Sequence, residues 1–286
     1  MSDLTGRSFV VTGANTGIGK ETVRALAQRG AHIVLACRSE EKTTPVVDEI
    51  RAQSPAAKLE FVALDLGDLA SVRACATELL RRDHPIHALV NNAGLASVRG
   101  RTKDGFELAF GTNHLGHYLL TRLLMERIEK SAKPGAPARI VNVSSDSHYS
   151  ADGIDFDAVQ DASRSVTGLH EYEVSKLANV LFTKELARRL DAAKVTTYSL
   201  HPGVIASDIW QRRVPRFLSA VPRLFMKSTT EGAKTSVYCA TSVDVANHTG
   251  RYYADCKEKR PNRAAQSEEL ARALWDRSAA WVGLEP

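Results

Sequence analysis

Tyr172 and Lys176 stand four positions apart in Tyr172-Glu173-Val174-Ser175-Lys176. On a helix, side chains at i and i+4 share a face, so a phenol and an ammonium meet. A free phenol titrates near ~10. To exchange a proton near neutrality it must fall by about three pH units, or roughly 4 kcal/mol. One cation about 4 Å away supplies about that at an effective dielectric of ~20. Lys176 is therefore a sufficient cause for an acid–base tyrosine, although the spacing alone also describes an ordinary exposed helix pair. Two further features add to it. The apolar run Arg139–Val143 closes on Ser144-Ser145. A hydroxyl there, Ser145 first and Ser144 as the alternative, can donate to an oxygen on which charge develops; the plainer use of either is capping. Asn113, in Gly111-Thr112-Asn113-His114, lies in a long helical stretch, where asparagine is a mediocre helix former. It can bend that helix and hold a water leading to Lys176. Asn113, Ser145, Tyr172 and Lys176 together suit proton transfer at a carbonyl or alcohol oxygen.

Such a set needs a redox partner, and the N-terminus offers a place for one. Thr12-Gly13-Ala14-Asn15-Thr16-Gly17-Ile18-Gly19 follows an apolar run and precedes a helical pattern. Its spacing is G-x-x-x-G-x-G. Glycines allow positive φ and let backbone N–H groups approach a pyrophosphate, and the following helix N-terminus adds donors. A tight turn without ligand is the alternative, but the strand–turn–helix placement favours a dinucleotide. Gly13, Asn15, Thr16, Gly17, Ile18 and Gly19 are the candidate contacts. The second strand ends in Ala36-Cys37-Arg38-Ser39, without the acid that would hold a ribose 2′-OH. Arg38 is placed to pair with a 2′-phosphate, which favours NADP(H) over NAD(H).

The elements that must position these residues alternate. Strands are expected at residues 7–12, 32–36, 58–64, 86–90, 139–143 and 195–200. Helices are expected at 17–30, 40–53 (with Pro45 obscuring its start), 68–82 with Asp68 as cap, 104–131, and an amphipathic one at 172–190. That order implies an α/β fold, a doubly wound parallel sheet of Rossmann type with about seven strands, as one domain over 1–286. Ligands bind beyond the carboxyl ends of such strands. Residues 205–230 read as a substrate lid: Trp210, Phe217, Leu218 and Phe225 alternate with arginines. An apolar inner face suits a small hydrophobic carbonyl or alcohol; a packing helix or peripheral membrane contact are the other uses of such a segment. Residues 256–286 form a C-terminal extension with a helix at 266–281, docking through Leu270, Ala273, Leu274, Ala280 and Trp281.

Composition excludes several classes. The chain has 286 residues and a net charge of +5, with 38 basic residues scattered among 33 acidic ones. No basic run marks a nucleic-acid partner. The four cysteines form no CxxC or zinc spacing, and among nine histidines His114 and His117 are spaced i, i+3 without a third ligand. No metal is expected, and His201 reads as a strand-end residue. The sequence contains no 18-residue apolar run and no export signal, so a cytoplasmic protein with at most peripheral membrane contact is expected.

Taken in order, the glycine turn, Asp65-Leu66, Asn91-Asn92-Ala93-Gly94, Asn113, Ser145, Tyr172/Lys176 and Pro202-Gly203 resemble the short-chain dehydrogenase/reductase family over about residues 5–255. The resemblance implies that Asp65 and Leu66 flank adenine and that Asn91, Ala93 and Gly94 line the adenosine ribose. It places Pro202, Gly203, Val204 and Ser207 by the nicotinamide carboxamide, with serine where the family usually has threonine. It also has Tyr172 and Lys176 contacting the nicotinamide side of the cofactor. Thr12 to Thr22, Ala36-Cys37-Arg38, Phe110 to His117, Ser175 to Asn179 and His201 to Val204 are similar to the retinol dehydrogenase and WW-domain oxidoreductase branch. This sequence departs from that branch in showing neither an N-terminal membrane anchor nor a WW domain. The implied activity is NADP(H)-dependent hydride transfer between a carbonyl and an alcohol. A non-enzymatic NADP(H)-binding redox sensor is the alternative. Family members often pair through the helix carrying the tyrosine, which makes a homo-oligomer an open expectation.

Overall fold

Apolar runs that alternate with helical segments become the strands of a single sheet in the computed structural model, which describes residues 3–203 and 228–286. The strands are β1 (Ser8–Thr12), β2 (His32–Cys37), β3 (Lys58–Ala63), β4 (Ala88–Asn91), β5 (Ala138–Val143), β6 (Val195–His201), β7 (Arg251–Ala254) and β8 (Lys257–Lys259). Their order is β3-β2-β1-β4-β5-β6-β7-β8. β1 to β7 run parallel, and β8 pairs antiparallel with β7. Every residue of β1, β4, β5 and β6 is buried, because helices cover both faces of a parallel sheet. The doubly wound parallel sheet is thus as expected, with β7 and β8 completing eight strands.

The β7–β8 turn had no signal of the usual kind. Asp255 and Cys256 take φ of 51° and 58°, as a two-residue hairpin turn with the sheet's twist requires. Glycine and asparagine normally announce such a turn; cysteine does not.

Helices α1 (Gly17–Ala27), α2 (Glu40–Gln53) and α6 (Thr229–Thr241) pack one face of the sheet, around Val23, Leu26, Val47, Ile50 and Ala240. On the other face lie α3 (Leu69–Arg81), α4 and α5 (Leu169–Arg189), around Val72, Leu79, Leu119, Leu124 and Phe182. α4 comprises Leu108–Phe110, a π-helical turn at Gly111–Leu115, and Gly116–Lys130. Asp68 caps α3 by accepting from the N–H groups of Ala70 and Ser71. α2 runs straight through Pro45 from a start at Glu40, capped by Ser39. α6, begun by a reciprocal Ser228/Glu231 capping box, was not anticipated.

Two expectations are corrected. α5 is not amphipathic: it is buried without a break from Val174 to Thr183. The cause is α7 (Glu268–Trp281), which packs over its outer side. α7 itself docks through Ala271, Leu274, Trp275, Ser278 and Ala279, with the expected Leu270 and Trp281 packed beside them, whereas Ala280 is exposed. The guanidinium groups of Arg122 and Arg189 lie over the Trp275 ring, at 4.7 and 4.5 Å. The lid expected at 205–230 falls almost wholly outside the described residues.

The strand order reverses between β1 and β4. In sheets of this kind the ligand crevice forms at such a switch point, beyond the carboxyl ends of the strands.

Candidate active site

The floor of this crevice is the turn after β1. Gly13 has φ of +61°, and a Cβ on it would lie 2.9 Å from Cα of Ala93. A Cβ on Gly19 would lie 2.3 Å from the Gly13 carbonyl oxygen and 2.5 Å from Nδ2 of Asn92. Both glycines are therefore required by close approach of backbone. The Asn92 amide donates to the carbonyls of Thr12 (2.8 Å) and Gly13 (3.3 Å), which locks the turn to the end of β4. α1 begins here with no capping side chain at Thr16 and no acid in its first turn. α2 and α3 differ: Ser39 and Asp68 cap them. The uncapped N–H groups and the positive end of the α1 dipole suit an anion. The turn accordingly fits a pyrophosphate.

Arg38 is exposed at the end of β2, beside this turn. Asp65 and Leu66 follow β3: Asp65 accepts from the Gly67 N–H at 3.0 Å, and Leu66 is buried against Gly116 of α4. Ala93 and Gly94 follow β4. Asn91 departs from expectation. Its side chain is 1% exposed and turned inward, donating to Thr121 Oγ1 (3.0 Å) and Asn142 Oδ1 (2.8 Å). It belongs to a buried polar ladder, not to the lining of a groove. Pro202 and Gly203 follow β6, while Val204 and Ser207 lie outside the described residues.

The four expected catalytic side chains converge at the same sheet end. Asn113 sits in the π-helical turn that interrupts the regular α pattern of α4. Its amide has three protein partners. Oδ1 accepts from the Leu95 N–H at 2.9 Å, and Nδ2 donates to the Leu95 carbonyl and to Ser175 Oγ, each at 2.9 Å. Asn113 thus ties the loop after β4 to α5, which carries Tyr172 and Lys176. A Cβ on Gly94 would lie 3.2 Å from Asn113 Oδ1 and 3.3 Å from Lys176 Nζ. Glycine at 94 therefore lets the loop after β4 pack closely against those two groups.

Ser144 and Ser145 are separated by the alternation of an extended chain. The Ser144 hydroxyl turns inward and donates to the Lys176 carbonyl at 2.7 Å. Ser145 faces the site and hydrogen-bonds the Tyr172 phenol. It also accepts from the Ser147 N–H at 3.1 Å, so it caps the turn it belongs to.

The electrostatics differ from the expectation of a phenol lowered by the neighbouring ammonium. Lys176 Nζ stands 5.6 Å from the centre of the Tyr172 ring and donates to the Val143 carbonyl at 3.0 Å. Burial pushes the Tyr172 phenol above its ordinary value, against a smaller opposing effect of the Ser145 hydrogen bond. Burial likewise lowers Lys176 to about 8. Desolvation penalises both charged forms and outweighs their mutual attraction here. The arrangement holds a protonated phenol, hydrogen-bonded to a serine, beside a cation that can lose its proton in a mildly basic range. That is a proton donor poised for an oxygen atom.

Thr12, Asn92, His117 and Ser175 were missed as site residues. Thr12 and Asn92 sat inside quoted motifs, but as a strand end and a spacer they carried no chemistry of their own. His114 is fully buried; Nε2 lies 3.0 Å from Ser278 Oγ of α7, and burial lowers its pKa to about 3. His201 links two strand ends by accepting the Asp146 N–H at Nδ1, 3.0 Å away. Among the described residues, His32, Glu60 and His84 form one compact group at the N-terminal end of β2, away from this site. Arg82 already holds the second oxygen of Glu60 there.

Comparison with known proteins agrees with this geometry. Residues 7–216 match the family model described as short chain dehydrogenase. Retinol dehydrogenase 12 of Mus musculus is 43% identical over 286 residues, spanning 99% of this chain and 88% of that protein. Retinol dehydrogenase 11 of Homo sapiens is 44% identical, spanning 98% of this chain and 87% of its own length. A crystal structure of an uncharacterized protein from Mycobacterium paratuberculosis superposes with a TM-score of 0.78 at 31% identity, covering 100% of this chain and 96% of the other.

Proposed function

The chain belongs to the short chain dehydrogenase family, in its retinol dehydrogenase branch, and from that premise we propose an NADP(H)-dependent oxidoreductase that interconverts a hydrophobic carbonyl compound and its alcohol. The observation that carries this is the convergence of Ser145, Tyr172, Lys176 and Asn113 beside an uncapped glycine turn at one sheet end. A bound nicotinamide supplies or takes up the hydride. Gly13, Asn15, Thr16, Gly17, Ile18 and Gly19 would hold its pyrophosphate. Arg38 would hold the 2′-phosphate, Asp65 and Leu66 the adenine, and Ala93 and Gly94 the adenosine ribose. Pro202 and Gly203, with Val204 and Ser207, would hold the carboxamide end.

The protein's own part is proton management. Ser145 donates a hydrogen bond to the substrate oxygen and stabilises charge as it develops. Tyr172, kept protonated by burial, donates the proton when a carbonyl is reduced. Lys176 supplies a positive charge that favours the phenolate left behind. Asn113 holds the loop of Leu95 against Ser175, one position before Lys176. A phenol held above its ordinary value is in the protonated form that reduction of a carbonyl requires.

The names of the relatives support a lipophilic aldehyde or ketone as substrate. Among the described residues no helix is long and apolar enough to cross a membrane. We propose a cytoplasmic enzyme with any membrane contact peripheral. NADPH oxidation with retinal, long-chain aldehydes, steroids and quinones tests the activity. Tyr172→Phe should lower kcat by roughly 10²–10⁴-fold with NADPH still bound. A folded, NADPH-binding Tyr172→Phe protein with full turnover refutes the assignment. A wild-type protein that binds NADPH and turns over none of these carbonyls leaves the redox-sensor reading instead.

A further inference from the structure

His117 lies on α4 one turn beyond Asn113 and is 1% exposed. Its Nδ1 is 2.9 Å from the main-chain carbonyl oxygen of Asn113, and its Nε2 is 2.8 Å from Thr12 Oγ1. A carbonyl oxygen only accepts, so Nδ1 carries the proton. Thr12 Oγ1 already accepts the N–H groups of Asn92 and Ala93, both at 2.9 Å. Its own proton must point elsewhere. Nε2 of His117 at 2.8 Å is a far better acceptor position than the Val90 carbonyl at 3.5 Å. Both ring nitrogens are thereby assigned, and the imidazole is neutral. Burial lowers its pKa to about 4, with the nearby Lys176 charge acting in the same direction.

The ring therefore bridges two parts of the site that no backbone bond connects. On one side are the end of β1 and the Asn92-Ala93 turn, which abuts Gly13. On the other is the π-helical turn from which Asn113 reaches Leu95 and Ser175. We propose that His117 is a positioning residue: its Nδ1–H and Nε2 hold the Asn113 carbonyl and the Thr12 hydroxyl at a fixed separation, and so keep Asn113 and Lys176 in register with the cofactor turn. The proposal rests on the oxidoreductase reading of the same site.

The two hydrogen bonds can be separated by substitution. An asparagine amide reaches about as far as Nδ1, and a glutamine amide about as far as Nε2. His117→Asn keeps a donor for the Asn113 carbonyl but loses the Thr12 contact, so it opens the bridge at one end and should lower kcat by about tenfold. His117→Gln and His117→Phe lose that donor. Each should lower kcat by about tenfold or more, with the NADPH Kd and the carbonyl KM changed by less than about threefold. Loss in all three variants in step with a lowered Tm, or wild-type kcat in His117→Phe, overturns the proposal. NMR of the histidine ring nitrogens in the wild-type protein gives a readout independent of turnover. A neutral Nδ1–H ring that persists to about pH 5 is expected; an Nε2–H ring refutes the assignment. Absence of carbonyl turnover in the wild type would sink the oxidoreductase reading, while the tautomer result would still decide the bridge.

Discussion

Replacing Gly19 with alanine tests whether the first turn is built for close backbone approach. The new Cβ would stand 2.3 Å from the Gly13 carbonyl oxygen, 2.5 Å from Asn92 Nδ2 and 3.0 Å from the Gly13 carbonyl carbon. Carbon does not approach a carbonyl oxygen closer than about 3.0 Å, so the turn must open by roughly 0.7 Å or more. The obstacle is main chain, and the Asn92 amide that would have to yield is holding that same main chain. Overpacking of this kind costs about 1–3 kcal/mol. Opening moves the N–H donors of Gly13 and the α1 start away from a pyrophosphate, so the strain should appear as a loss of cofactor affinity of about 5–150-fold. NADPH fluorescence titration of Gly19→Ala measures it, with Tm recorded in parallel. Gly6→Ala is the control: Gly6 also has positive φ (+78°) but nothing within 4 Å of a Cβ, so it should lose stability alone. A Gly19→Ala protein with parental NADPH affinity and parental Tm would refute the account of the turn.

Other outcomes follow from the same geometry. Arg38→Ala should weaken NADPH binding by about 10–150-fold, the equivalent of a charge-assisted contact worth roughly 1.5–3 kcal/mol, and leave NADH affinity unchanged; paired titrations read the ratio. Reductase activity should decline as pH rises past about 8, where Lys176 loses its charge; a kcat/KM profile flat to pH 10 would contradict this. His117 and His114 are held near 4 and 3, below the unfolded value of about 6.5. Each is neutral in the fold, so its stability contribution is complete above pH ~6.5 and is lost as pH falls toward the folded value, roughly 3 kcal/mol for His117. Tm should therefore drop steeply between pH 6.5 and 4, and less so in His117→Phe. Trp275→Ala should cost about 3–5 kcal/mol by removing the buried ring that Arg122 and Arg189 lie over and unseating α7 from α5; denaturant titration measures it.

Much of this protein was determined by the sequence alone, because the relevant physics is local. The glycine turn announces itself since only glycine tolerates the required approach at residues 13 and 19. The candidate catalytic set follows from side-chain chemistry, and Tyr172 and Lys176 share a helix face by spacing. Alternating strand and helix patterns suffice for a doubly wound sheet, with the site residues at the carboxyl ends. What the tertiary structure decided depends on burial and on partners far away in the chain. It turned Asn91 into the core and Ser144 toward the Lys176 carbonyl, leaving Ser145 to face Tyr172; alternation says only that the two serines differ, not which way each points. It covered α5 with α7 and so erased the solvent face that its pattern suggested. It raised Tyr172 and lowered Lys176, because desolvation belongs to the packed site and not to a four-residue spacing. It also fixed both nitrogens of His117, since Thr12 and Asn113 are 101 positions apart in the chain and meet only across the fold.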